Sequence, residues 1–130
     1  MMQVPVTGLY AALLALVAIA LVAGVGATRG KTKISLGDGG DPKLIVAIRR
    51  HMNFVEGVPL ALLLMALVEL NGGSKALLHA LGAILLVARL IHPFGLELQD
   101  MGKWQRIAGA TATLLVTLAA AIVLLWQQLG

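Results

Sequence analysis

Residues 41–74 read DPKLIVAIRRHMNFVEGVPLALLLMALVELNGGS. Asp41 followed by Pro42 has the form of a helix start, with an N-cap and then proline at the first helical position. Asn71-Gly72-Gly73-Ser74 reads as a tight turn whose last residue caps the next helix. Between them lies an apolar stretch longer than a bilayer needs. Counting back about 20 residues from Leu70, the length of one span, reaches His51. The first turns of this helix therefore rise toward one membrane surface, and Glu56 lies about 7 Å inside the apolar zone at about 1.5 Å per residue. A carboxylate there is expensive, which makes it a functional candidate.

Working outward, three more apolar runs flank this one: Val4 to Ala27, Ser74 to Phe94, and Trp104 to Trp126. The four runs predict an all-α integral membrane four-helix bundle, with 1–130 as one four-span transmembrane domain and helices at about 4–27, 42–70, 74–94 and 104–126. Composition agrees. Of 130 residues, 59% are hydrophobic and 12% charged, and the mean hydropathy is +0.94. A soluble domain of this size is mostly surface and needs more charge. The first run is not preceded by a basic segment, so a retained helix is expected rather than a cleaved signal peptide.

The net charge of +4 comes from residues at span ends and in loops, so it points to membrane orientation and not to nucleic acid. Arg29, Lys31, Lys33 and Lys43 surround the first loop, and Lys103 and Arg106 follow the third helix. The opposite side offers Lys75 alone. The positive-inside rule then predicts both basic loops in the cytoplasm and both termini away from it. Trp104 and Trp126 suit the two interfaces. Cysteine is absent, which removes disulfides, thiolate metal sites and a thiol nucleophile of the protein's own.

At about 100° per residue, Arg49, Met52, Asn53 and Glu56 share one stripe of the second helix, while Arg50 and His51 point elsewhere. Arg89 and His92, three residues apart, share a face at the basic end of the third helix. Arg106 opens the fourth helix and Arg29 closes the first at the same end. These residues are expected to meet in the cytoplasmic half of the bundle. Arg49 and Glu56 fit either a structural ion pair between helices or part of a ligand site. The excess of arginine over acid favours an anionic ligand. His79 reads as a hydrogen-bonding residue between helices near the other interface. His92 lacks a second His or Cys at ligand spacing, so no metal is expected. The Gly37-Asp38-Gly39-Gly40-Asp41 loop lacks the alternating acids and later glutamate of a calcium loop and reads as turn chemistry.

The stretch from Arg49 through Asn53 and Glu56 to Pro59 resembles the second-helix signature of the MAPEG family, the membrane-associated proteins in eicosanoid and glutathione metabolism. The resemblance extends over nearly the whole chain, through Gly37-Asp38-Gly39-Gly40, Glu69-Leu70-Asn71-Gly72 and Arg89-Leu90-Ile91-His92, and looks closest to the short bacterial branch. It implies a homotrimer in a bacterial inner membrane, with glutathione bound between subunits toward the cytoplasm and a lipophilic second substrate arriving from the bilayer. On that resemblance Arg49, Asn53, Glu56, Arg89 and His92 are glutathione-binding residues. Arg106, and after it Arg29, would stabilise the thiolate. Met52, Gly57, Leu96 and Ile107 depart from other branches, and Ile107 argues against prostaglandin isomerisation. The expected activity is transfer to lipophilic electrophiles or reduction of hydroperoxides. The alternative is a lipid-binding or scaffold protein without catalysis. A small efflux transporter would need a carboxylate in the first helix, which has none.

Overall fold

The computed structural model describes residues 3–130. Four long helices follow in order: α1 (Pro5–Thr32), α2 (Pro42–Leu70), α3 (Lys75–Ile91) and α4 (Trp104–Leu129). A 3-10 turn over His92–Gly95 extends α3. All four segments are long and apolar enough to cross a membrane. The protein is an all-α integral membrane four-helix bundle, and the described residues contain no strand. Around the bundle the order is α1, α2, α4, α3, with α2 and α3 also touching across the middle.

The helix boundaries have local causes. The Asp41 carboxylate accepts the Leu44 N–H at 2.9 Å, and Pro42 occupies a position where its missing N–H costs nothing. Ser74 Oγ accepts the Leu77 N–H at 3.4 Å. Gly72, at φ 76°, lets the intervening chain reverse. Pro59 stays within a continuous α2.

Helix α1 ends at Thr32, beyond the expected stop near Ala27, because the backbone does not stop where hydropathy does. The Thr28 and Thr32 hydroxyls donate to carbonyls one turn back, at 2.8 and 3.0 Å. Arg29 and Lys31 suit the negative end of the helix dipole. Lys33 then turns into the left-handed region at φ 60° and closes on the Arg29 carbonyl. At the other loop, α3 gives way to 3-10 geometry at His92, ahead of Pro93, where continuous helix to Phe94 was expected. Helix α4 continues past Trp126 to Leu129.

The core is a single hydrophobic cluster containing Tyr10 and Leu14 of α1, Phe54, Val58, Ala61 and Met65 of α2, Leu78 and Leu85 of α3, and Val116 and Ala120 of α4. At the non-basic end the Glu69 carboxylate accepts the N–H groups of Val6 and Thr7 at 2.9 and 2.8 Å. Val4 supplies no side-chain cap, so a residue of α2 caps α1. Nearby, Tyr10 and His79 lie within hydrogen-bond reach at 3.2 Å and join α1 to α3. The outside carries bare Leu16, Ile19, Leu60, Val87, Leu114 and Ile122. Lipid matches such a surface and water does not.

Candidate functional site

The stripe on α2 forms as its spacing requires. Arg49 Nη1 and Nη2 donate to the two carboxylate oxygens of Glu56 at 3.4 and 3.3 Å. The partners are two helical turns apart on α2 itself, so this pair does not join helices. Both side chains are about half exposed, 52% and 53%. A pair so placed contributes little stability and stays available to other partners.

Asn53 lies between them in sequence and turns inward. Its Oδ1 accepts from Arg89 Nη2 at 3.0 Å. Arg89 is 1% exposed, and its guanidinium carbon stands 5.7 Å over the Phe54 ring. The Nε of Arg89 and the Nδ1 of His92 are buried without a partner. Polar groups in that condition carry unused hydrogen-bonding capacity.

Two clefts meet at Asn53. The first, of about 240 Å³, brings Arg49, Asn53 and Arg106 together beneath the segment Leu96–Leu98. The second, of about 300 Å³, opens between α2 and α4 and gathers Asn53, Glu56, Arg89, Thr113 and Thr117. Arginine outnumbers acid across the two. Glu97, on the rim of the first, is taken by an ion pair with Lys103.

Arg106 owes its place to two glycines. A Cβ on Gly95 would meet the Arg106 Cα at 2.9 Å, and one on Gly109 would meet the His92 Cβ at 2.6 Å and the Ala88 carbonyl oxygen at 2.8 Å. The absence of side chains there lets the start of α4 press against the end of α3. His92 is fully buried against this junction and lines neither cleft. Arg29 is not brought to the group. Its Nη1 donates to the carbonyls of Ile34 and Gly37 at 3.0 and 2.9 Å and braces the first loop.

Sequence reading did not foresee Thr113 and Thr117 in the second cleft, nor the tether from Arg50 Nη2 to the Leu96 carbonyl at 3.4 Å. Thr113 and Thr117 are polar residues one turn apart in the apolar middle of α4, which was the available signal. The tether ends on a backbone carbonyl, for which sequence holds no signal.

No solved structure matches the chain. Its sequence is 36% identical over 123 residues to the inner membrane protein YecN of Escherichia coli strain K12, covering 95% of this chain and 92% of the relative. YecN of Escherichia coli O6:H1 gives the same figures. The MAPEG family model matches residues 7–126, nearly the whole bundle with both clefts, and the chain belongs to that family.

Proposed function

We propose that this protein is a glutathione-dependent transferase or peroxidase acting on lipophilic electrophiles or hydroperoxides. The observation that carries this reading is the convergence on Asn53 of Arg49 and Arg106 on one side and Glu56 and Arg89 on the other. A tripeptide with two carboxylates, an ammonium and amide groups needs cations, an anion and an amide within a few ångströms, and the two clefts offer all three. The unused Nε of Arg89 adds donor capacity beside the same site.

Glutathione, when bound, supplies the nucleophilic sulfur, for which this cysteine-free chain has no substitute. Arg49 holds a carboxylate, Glu56 the ammonium, and Asn53 an amide. Arg89 keeps the Asn53 side chain oriented through its hydrogen bond. Arg106 places positive charge beside the sulfur and favours its deprotonated, reactive form. Helix α4 begins at Trp104 without a side-chain cap, so its free N–H groups add to that effect. Arg29 faces a loop in its own subunit, so any contribution from it crosses a subunit boundary in a homotrimer. The half-exposed Arg49–Glu56 pair suits a site that a neighbouring subunit closes. The protein lies in a bacterial inner membrane with this end of the bundle toward the cytoplasm, where the basic loops favour it.

Calorimetric titration of glutathione into the detergent-purified protein tests the reading, with Arg49→Ala and Glu56→Gln alongside. Saturable binding is expected, weakened about tenfold or more in each variant, since a charge-assisted hydrogen bond contributes about 1.5–3 kcal/mol. The mutual pairing of Arg49 and Glu56 favours a second reading, a lipid-binding or scaffold protein without catalysis. Absence of wild-type binding in a folded sample selects that one.

A further inference from the structure

On the other side of the Leu96–Leu98 segment, three recesses run into one another. A polar recess of about 400 Å³ sits between the end of α1 and the start of α2, bounded by Thr28, Lys31, Thr32, Asp41, Pro42 and Lys43. It shares Thr28, Pro42 and Lys43 with a trough of about 660 Å³ between α1, α2 and the turn after α3. The trough shares Ala20, Leu21, Pro93 and Phe94 with an apolar recess of about 360 Å³ that reaches Leu16. From Thr28 to Leu16 the path is about 18 Å along α1, the length of a long acyl chain.

Charge is distributed along this path in one direction. Lys31 and Lys43 stand at the polar end, and Arg50 lines the trough below them. Two acids also line the path. The Asp41 carboxylate is turned to the Leu44 N–H as the cap of α2, and Glu97 is paired with Lys103, so the three cations outnumber the one unpaired acid. Below Arg50 the walls are alanine, leucine, valine, proline and phenylalanine, with the buried Arg89 the one charged residue behind them. A cationic head and an apolar tail form the complement of an anionic amphiphile.

We infer that this groove is a binding site for one anionic phospholipid, its phosphate between Lys31 and Lys43 and one acyl chain in the trough along α1. A zwitterionic lipid places its ammonium against the same lysines and is disfavoured. The groove shares the Leu96–Leu98 segment with the first Asn53 cleft and Arg89 with the second, but Lys31 and Lys43 line neither cleft.

Native mass spectrometry of the detergent-solubilised protein, with phosphatidylglycerol and phosphatidylethanolamine of identical acyl chains, reads the preference directly. Phosphatidylglycerol should be retained about tenfold more strongly or better, as two lysines at about 1 kcal/mol each require. The Lys31→Ala/Lys43→Ala variant should reduce that preference to near parity. Gly24 lines the trough, and a Cβ there meets nothing within 4 Å, so Gly24→Leu fills the groove without disturbing the helices. It should lose retention of both lipids, while Gly24→Ala keeps it. If circular dichroism shows that Gly24→Leu has not folded, Ala20→Phe blocks the same trough from an exposed position. Equal retention of the two lipids by the wild type overturns the proposal. So does undiminished phosphatidylglycerol retention in the folded blocking variant, which would mean adsorption on the lysines alone.

Discussion

Asn53 holds the one side-chain hydrogen bond that the buried guanidinium of Arg89 makes among the described residues. Asn53→Ala should therefore lower stability by about 1–3 kcal/mol, read as a fall in the thermal midpoint in detergent. Arg89→Met combined with Asn53→Leu should cost less than Asn53→Ala alone, because removing both partners leaves no stranded charge. Arg106 gives a different signature. With Arg106→Ala, kcat should fall more than glutathione affinity, and equal losses would contradict its proposed place beside the sulfur. At this scale the sequence was informative wherever contacts are local. Arg49, Asn53 and Glu56 could be placed on one stripe because helical periodicity alone decides it. That Asn53 pairs with Arg89 depends on the register of α2 against α3, which no local pattern encodes. The position of Arg29 depends on where two loop carbonyls point, one of them on Gly37 at φ 64°.

The helices show the same division. Asp41-Pro42 and Ser74 mark starts that side-chain chemistry explains, and both were legible. The end of α1 was not, since hydropathy reports where lipid stops, whereas hydrogen bonding carried the helix on to Thr32. The glycines separate by what surrounds them. Gly109→Ala would drive a methyl group into His92 and the Ala88 carbonyl and should destabilise the bundle by about 1–3 kcal/mol. Gly24→Ala meets open space and should be neutral or stabilising by up to about 1 kcal/mol. Thermal unfolding of the two variants side by side checks the contrast. Gly109→Ala should also reduce activity, because the junction it disturbs is the one that seats Arg106.

For the whole molecule, the absence of cysteine makes topology directly measurable. A cysteine placed at Ser35, in the basic loop, should be labelled by a membrane-impermeant maleimide only after the inner membrane is opened. One placed at the exposed Lys75 should be labelled in spheroplasts with the membrane intact. The opposite pattern would place the Asn53 clefts toward the periplasm. Four apolar runs sufficed to read the bundle, because each crossing is dictated by its own composition. Which helices become neighbours was not readable, because the small and aliphatic residues on their inner faces fit several arrangements equally well.

Glu69 has a consequence in time. The Val6 and Thr7 amides receive their carboxylate from a single residue, respectively 63 and 62 positions later in the chain. At about 5–20 residues per second of synthesis, the leading helix waits several seconds, through the emergence of the whole of its successor, before its first turn is closed. The first helix crosses on its own composition, but its packing against the second is completed only after Glu69 has emerged.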